Sequence, residues 1–282
     1  MRQARVDTVR RFVAAAMFAM SASCSAPTSA PPLATDNTVL AHLAMSGSPE
    51  SSAGASWTYR DTVDGVVYDL SGVLLKPVGT GPFPAVIVSH GYGGNAAGYS
   101  RTLGATMSRW GAVVIATNYT HAGNVAAGAP GGPAELGASA TNVLRARRAI
   151  EILRALGYVD MGRVAAHGHS MGAFVTTALA ATYPRTLRVA SHTAGGVRLD
   201  GPTAAAPTEA QGRAIRTPYQ MHHGDIDQVV ALAADQRLSA LLGETGTAHE
   251  LFVYAGAGHN EVPFDPVVLE RVRAWYAKHG LF

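Results

Sequence analysis

Apolar runs alternate with amphipathic segments from Trp57 to the C-terminus. The first two runs, SWTYRDTV and VVYDLSGVLLKP, mix polar and apolar positions and meet near Asp64 and Gly65, which predicts an antiparallel pair of strands. The next run, FPAVIVSHG, is almost entirely apolar and ends in a glycine-rich turn. A strand with no polar face is typical of a sheet that is covered on both sides.

Strand-like and helix-like segments then follow one another in turn. The predicted strands are GAVVIATNY, GRVAAHGH, LRVASHTAGG, TPYQMHHG and AHELFVYAG, and the segments between most of them have helical spacing. In ASATNVLRARRAIEILRAL the apolar residues share one helix face, and the charged residues lie largely on the other: Arg145, Arg147, Arg148 and Glu151. Residues 197–216, rich in Ala, Pro and Gly, are predicted to form a loop.

This alternation predicts an α/β fold with a mostly parallel central sheet and helices on both faces. The pattern fits one domain over residues 55–282, with no long insertion that would form a large lid. Residues 24–54 are rich in Ser, Ala, Pro, Gly and Thr and are predicted to be a flexible tether.

The N-terminus is predicted to be an export signal over residues 1–23. MRQARVDTVRR is positively charged, and FVAAAMFAM is apolar but too short to span a bilayer as a helix. The following SASC resembles a bacterial lipoprotein box, in which Cys24 would carry the lipid. Ser21 departs from the usual Leu of that box, so ordinary cleavage and full secretion is the alternative. We therefore expect an exported protein, either lipid-anchored in the bacterial envelope or secreted.

Charge and cysteine content give no support for nucleic-acid binding and exclude an intramolecular disulfide. The chain has 22 basic and 19 acidic side chains, a net charge of +3. The first 23 residues contribute four of the arginines and one aspartate, so the remainder carries no basic excess and gives no support for nucleic-acid binding. Cys24 is the single cysteine, which excludes an intramolecular disulfide.

A serine flanked by glycines stands between a predicted strand and a predicted helix. In Gly168-His169-Ser170-Met171-Gly172 the glycines lie two residues before and after Ser170. This arrangement is typical of a nucleophile elbow, a turn so sharp that side chains at both glycine positions would collide with the strand and the helix. Such a turn raises the serine hydroxyl above the sheet and directs the amide N–H of Met171 toward a substrate oxygen.

With this motif the chain resembles the α/β-hydrolase family over about residues 57–280, in particular the serine esterases related to dienelactone hydrolases. In such relatives the residue after a His-Gly pair supplies a second amide to the oxyanion, and in SHGYGGN that residue is Tyr92. The resemblance implies that Tyr92 and Met171 form the oxyanion hole. Gly91 and the Tyr92 ring would contact the substrate, and His90 would support the loop.

The resemblance also implies an acid and a base in the order Ser, acid, His. In HHGDIDQVV the acid of the relatives corresponds to Asp227, with Asp225 as a competing carboxylate and Asp200 as a remote third. In YAGAGHNEVP, His259 occupies the position of the general base. True dienelactone hydrolases use a cysteine nucleophile, so Ser170 leaves the substrate open.

Other histidines have simpler interpretations. His169 lies inside the elbow, where it is predicted to pack beside the substrate site and not to titrate in catalysis. His222 and His223 are adjacent on one predicted strand, so they face opposite ways and are poorly placed to chelate one metal ion. No metal and no cofactor is expected.

The sequence thus predicts a serine hydrolase that cleaves carboxylic esters through an acyl-enzyme, a monomer acting on a small or polymeric ester. The motifs HGY-G and GHSMG also resemble cutinase-type polyester hydrolases, although SHTAGG and the lack of a cysteine pair differ from that group. Acyl transfer on the same residues is a further alternative. A non-catalytic binding protein of this fold is the alternative from another class.

Overall fold

The computed structural model describes residues 36–63, 65–123, 135–199 and 205–282. The predictions for the export signal, for Cys24 and for the first part of the tether lie outside these residues. In the described part of the chain, no helix combines the length and apolarity needed to cross a membrane.

Nine strands of the described residues form one sheet in the order β1-β2-β3-β5-β4-β6-β7-β8-β9. The strands are β1 Leu43–Ser46, β2 Ala55–Val63, β3 Val66–Leu75, β4 Phe83–Ser89, β5 Val113–Thr117, β6 Val159–His169, β7 Val189–Thr193, β8 Tyr219–Gly224 and β9 His249–Tyr254. Strands β4 to β9 are parallel, and β1 to β3 continue the sheet in antiparallel pairing. The predicted fold class is confirmed.

Helices cover both faces of this sheet. They are α1 Asp36–His42, α2 Ala96–Tyr99, α3 Ala105–Arg109, α4 Ala140–Ala155, α5 Met171–Thr182, α6 Glu209–Ala214, α7 Leu232–Glu244 and α8 Pro266–Lys278. A π-helical turn, Ser100–Gly104, joins α2 to α3, and a 3-10 turn, Val262–Phe264, precedes α8. Apolar side chains of α4, α5 and α7 form the core on one face, and those of α3 and α8 form it on the other.

The structure differs from the predicted tether over its C-terminal part. Residues 36–46 form α1 and β1, and β1 extends the sheet by pairing with β2. Val39 of α1 is buried in the main core. The six apolar residues of this segment are divided between a seven-residue helix and a four-residue strand, which are too short to show a period, and the strand that orders β1 lies further along the chain.

The charged face of α4 is also buried, contrary to the amphipathic pattern. Arg145, Arg147 and Glu151 are each at most 3% exposed. Arg147 and Arg148 pair with Glu151, and Arg145 donates to the carbonyl of Asn118. Helix α1 packs against α4, so the segment predicted to be a tether contributes to the layer next to this helix.

The predicted loop 197–216 contains helix α6. Thr208 and Gln211 form a reciprocal capping box at its start, in which each side chain accepts from the other residue's amide. Glu209 of α6 pairs with Arg237 of α7, which ties this helix to its neighbour. Val197 and Ala206, which precede α6, are buried.

The sheet brings four loops to one edge. Strands β4, β6, β8 and β9 are parallel, so the loops that follow Ser89, His169, Gly224 and Tyr254 all leave at the carboxyl end of the sheet. Ligand sites of open α/β sheets lie at this edge. The loops carry the glycine-rich turn at residues 90–94 and four of the candidate residues, which are Ser170, Asp225, Asp227 and His259.

Candidate active site

Ser170 occupies a strained turn between β6 and α5. Its backbone has φ 56° and ψ −120°, a left-handed value of φ that is rare for a residue with a side chain. A Cβ atom on Gly168 would lie 2.2 Å from the carbonyl oxygen of Gly172. A Cβ atom on Gly172 would lie 2.1 Å from the carbonyl oxygen of Ser89. The turn therefore requires glycine at both positions.

Three side chains from different loops form a continuous hydrogen-bonded chain. Oγ of Ser170 lies 2.9 Å from Nε2 of His259, and Nδ1 of His259 lies 2.7 Å from Oδ2 of Asp227. A carboxylate only accepts, so Nδ1 of His259 carries a proton and Nε2 of the neutral ring accepts from the serine hydroxyl. This is the arrangement that makes a serine hydroxyl nucleophilic.

Asp227 is held as a carboxylate from several directions. Its side chain is fully buried, and its Oδ1 accepts the amide N–H groups of Val229 and Val230 at 2.8 and 2.9 Å. Burial favours the neutral acid, but the hydrogen bonds from His259 and from the two amides outweigh burial and lower the pKa of Asp227. The carboxylate is thus charged and fixed in orientation at neutral pH.

The structure places the competing acid elsewhere. Asp225 is exposed, and its Oδ1 accepts the amide N–H of Gly256 at 2.7 Å, so its carboxylate holds the turn that precedes the loop of His259. Asp200, the third acid considered, lies outside the described residues. Of the two candidate acids that the structure describes, Asp227 is the one in contact with the imidazole of His259.

Two backbone amides are in position to receive a developing negative charge. Met171 is the first residue of α5, and Tyr92 lies in the loop after β4. Neither amide donates a hydrogen bond within the described part of the chain. A Cβ atom on Gly91 would lie 3.3 Å from Cβ of Ser170, so the loop passes directly beside the serine.

His90 fixes the peptide group that carries the Tyr92 amide. Nε2 of His90 accepts the amide N–H of Tyr119 at 3.3 Å, and its Nδ1–H donates to the carbonyl of Gly91 at 2.8 Å. Burial lowers the pKa of His90 to about 3, so the ring is neutral. In a trans peptide the carbonyl and the next N–H point in opposite directions, so the bond to Gly91 orients the N–H of Tyr92 away from His90.

Two cavities meet at Ser170. The larger, about 430 Å³, is mainly apolar, and Arg198 is the charged residue in its wall; it is lined by Tyr92, Ser170, Met171, Phe174, Val197, Arg198, Leu199, Ala206, Val229, Val230, Ala231 and Ala234. The smaller, about 320 Å³, contains the imidazole and is lined by Gly91, Tyr92, Gly94, Tyr99, His169, Ser170, Val229, His259, Asn260 and Phe264. A substrate can therefore extend to both sides of the serine.

His169 lies in the wall of the smaller cavity. Its Nδ1 is 2.9 Å from Oγ1 of Thr193, and its ring centre is 4.8 Å from that of His259. Burial, followed by the nearby His259, lowers the pKa of His169 to about 3. The ring is thus neutral at working pH, and it contacts the site by packing.

The adjacent histidines of β8 point in opposite directions. His222 contacts the hydroxyl of Tyr254 and the side chain of Gln220, whereas His223 contacts Asp235 and the carbonyl of Val230. Over the described ranges, no three metal-ligating side chains are grouped to hold an ion.

A second buried hydrogen-bonded chain lies behind Asp227, and the sequence pattern does not predict it. Asp235 of α7 accepts from His192 of β7 at 2.6 Å and contacts His223 of β8 at 2.7 Å. All three side chains are fully buried. Asp235 is a single acidic residue in the first half of α7, and its neighbours in the sequence give no sign that it faces the sheet. Its partners come from two different strands, so the cluster is a product of the fold.

The chain is similar to known hydrolases over most of its length. The model of the dienelactone hydrolase family matches residues 70–261. A comparison with curated protein sequences found no match. An esterase from an Arctic intertidal metagenomic library, described as cold-adapted, superposes with a TM-score of 0.61 at 18% identity, covering 79% of this chain and 94% of the esterase.

Two further solved structures show the same fold. A Klebsiella pneumoniae protein assigned as a dienelactone hydrolase has a TM-score of 0.58 at 18% identity, with 80% of this chain and 100% of that chain covered. A puromycin-hydrolysing peptidase from Mycobacterium tuberculosis has a TM-score of 0.60 at 17% identity, with 84% of this chain but 45% of the peptidase covered. The superpositions establish the fold, and the family model establishes the membership. The chain belongs to the dienelactone hydrolase family and has the α/β-hydrolase fold.

Proposed function

We propose that this protein is a serine hydrolase that cleaves carboxylic esters through an acyl-enzyme. The observation that carries the proposal is the hydrogen-bonded chain from Ser170 through His259 to Asp227. Beside it lie two amides that bond to no acceptor among the described residues. Family membership supports hydrolysis in general, and the geometry supports serine as the nucleophile.

Each group has a defined role in the proposed reaction. His259 takes the proton of Ser170 as the serine oxygen attacks the ester carbonyl, and Asp227 stabilises the resulting imidazolium. The amides of Met171 and Tyr92 bind the oxyanion, and one such donor typically contributes about 3 kcal/mol to transition-state stabilisation. His259 then protonates the leaving alcohol, and water repeats the sequence on the acyl-enzyme.

Each of the two cavities is expected to hold a different half of the ester. The leaving oxygen must receive its proton from Nε2 of His259, and His259 lines only the smaller of the two cavities described. The alcohol therefore occupies the smaller cavity, and the acyl group enters the larger one between α5 and α7. The apolar wall of the larger cavity favours an apolar acyl group.

The same cavity argues against an aminopeptidase. Recognition of a substrate ammonium group requires a carboxylate or comparable acceptors, and the described residues that line the larger cavity include no acidic side chain. An ester with an aliphatic or aromatic acyl group fits this wall better than a peptide with a free N-terminus.

A panel of p-nitrophenyl esters tests the proposal, with the matching p-nitroanilides alongside. We expect turnover of esters with apolar acyl groups, no detectable turnover by Ser170→Ala, and labelling of the wild type by a fluorophosphonate. Wild-type protein that neither cleaves any ester nor reacts with the fluorophosphonate would refute the proposal. Faster cleavage of anilides than of esters would favour a peptidase.

A substitution inside the larger cavity tests the assignment of the acyl group. Ala234→Leu adds three carbons to the wall between α5 and α7, so the ratio of long-acyl to short-acyl kcat/KM should fall about tenfold. Gly243→Ala, later in the same helix, is the matched control, since a Cβ there meets only ordinary contacts. A change in alcohol preference with no change in acyl preference would reverse the assignment.

A further inference from the structure

Behind Asp227 lies a buried charged group that the proposed mechanism does not use. His223, near the end of β8, is fully buried and places one ring nitrogen against Asp235 and the other against the loop of Asp227. Its neighbour His222 faces the opposite side of the strand. His223 therefore connects the loop of the candidate acid to helix α7.

The hydrogen-bond partners determine the protonation of this ring. Nε2 of His223 lies 2.9 Å from the carbonyl oxygen of Val230, which can only accept, so Nε2 carries a proton. Nδ1 lies 2.7 Å from Oδ2 of Asp235, whose other oxygen is 2.6 Å from Nε2 of His192. A carboxylate between two ring nitrogens accepts from both, which makes His223 an imidazolium paired with Asp235.

The electrostatics of the pair agree with this assignment. Burial opposes the charge on both partners, but the bonds and attraction between them outweigh it, and the pKa of His223 is raised while that of Asp235 is lowered. The titratable groups that face the ring are Asp235 from α7, Asp227 from the following loop and, through Asp235, His192 from β7.

The charged ring is connected to Asp227 in two ways. Its Nε2 holds the carbonyl of Val230, and the amides of Val229 and Val230 hold Oδ1 of Asp227. The same Nε2 lies 3.4 Å from Oδ2 of Asp227, the oxygen that contacts His259. Movement of the ring would therefore move the loop and change the charge that His259 faces.

We propose that His223, charged and paired with Asp235, is a positioning residue that anchors the Asp227 loop to α7 and offsets part of the carboxylate charge facing His259. The role in turnover rests on the proposed function, whereas the charge state does not. Loss of the cation leaves a stronger negative field at His259, which makes its protonation easier. The anchor affects kcat, because it fixes a group that acts in the transition state and makes no contact with bound substrate.

The first test measures the charge state without any assay of activity. In protein labelled with ¹⁵N-histidine, both ring nitrogens of His223 should carry protons at pH 7, with the signal assigned by its absence from His223→Gln. A neutral His223 at pH 7 would overturn the proposal, whether or not the protein cleaves esters.

The second test is the pH dependence of kcat/KM for His223→Gln and for His223→Gln with Asp235→Asn. The double variant removes both buried charges, so it remains informative if the single variant fails to fold. For His223→Gln we expect kcat to fall roughly tenfold at unchanged KM and the acid limb to move up by about half to one pH unit. The double variant should show the same fall in kcat with a smaller upward shift, because it also removes the negative charge of Asp235. His222→Gln, the same change one residue away, should leave the acid limb in place.

A merely structural role for His223 predicts a different result. Loss of packing would lower the unfolding temperature and the amount of active protein, but it would not shift the acid limb. A folded variant with the wild-type acid limb and wild-type kcat would overturn the proposal. An inactive wild type would instead contradict the proposed function, and the ¹⁵N measurement would still decide the charge of His223.

Discussion

Gly172→Ala should reduce activity strongly while leaving the chemical groups of the site unchanged. A methyl group at this position would lie 2.1 Å from the carbonyl oxygen of Ser89 and 2.7 Å from that of His90. Real Cβ atoms do not approach within 3.0 Å of such atoms, so α5 and the end of β4 must separate by nearly 1 Å. Both elements carry an amide of the candidate oxyanion hole, Met171 on α5 and Tyr92 after β4.

The size of the effect follows from this displacement. Hydrogen-bond donors to an oxyanion act over a narrow range of distance, and a misplacement of about 1 Å in an active site can reduce the rate about 100-fold. Insertion of a methyl group into a packed region destabilises a protein by about 1–3 kcal/mol. We therefore expect kcat/KM to fall about 100-fold and the free energy of unfolding to fall by about 2 kcal/mol.

Ester kinetics and urea unfolding of Gly172→Ala and Gly243→Ala test this reasoning together. Gly243 lies in α7, where a Cβ would be 3.7 Å from its nearest neighbour, so alanine should leave activity unchanged and stabilise the helix by up to about 1 kcal/mol. If Gly172→Ala retains kcat/KM within about threefold of the wild type at unchanged stability, the close approach of α5 to β4 does not position the site.

Other expected results concern the candidate acid and a surface ion pair. Asp227→Asn should lower kcat by roughly 10³–10⁴-fold, because the amide would favour the wrong tautomer of the base, whereas Asp225→Asn should cost less than about tenfold; equal losses would reject the choice between them. The hydrogen bond from Arg237 lowers the pKa of Glu209 from 4.5 to about 2, so the stabilisation by this pair is present above pH 4.5 and is lost as the pH falls toward 2. Glu209→Gln should therefore lower the urea midpoint at pH 7 but not at about pH 2. An equal effect at both pH values would show that the ion pair with Arg237 does not stabilise the fold.

The fold could be predicted because its signal is local and repeated. Strands β4 and β5 are nearly continuous apolar runs, the later strands keep shorter apolar stretches, and the helices between them show their own period, so the alternation specifies a covered parallel sheet. The elbow could be predicted for a similar reason, because Ser170 and its two glycines lie close together in the sequence. Its steric requirement is visible in the sequence before any distance is known.

The errors at the N-terminal edge have a different origin. The segment 36–46 has six apolar residues among eleven, but they are divided between two short elements that show no period, and β1 is ordered by pairing with β2. The amphipathic pattern of α4 failed for a related reason. Its charged face is buried, and α1, the segment predicted to be a tether, packs against this helix. A pattern within one helix shows its polarity, but it does not show which neighbouring element covers the polar side.

The two histidines of β8 show how far the sequence argument extends into the site. Strand geometry alone places His222 and His223 on opposite faces, and the structure has this arrangement. Strand geometry does not reveal that Asp235 of α7 contacts His223, since that contact depends on how the helix packs on the sheet. The charge that we assign to His223 depends on the carbonyl oxygen of Val230. Every residue has such a backbone oxygen, so the residue type at 230 does not predict this contact. Residue types therefore indicate which groups can react, whereas the groups that hold them in place become visible only when the backbone is known.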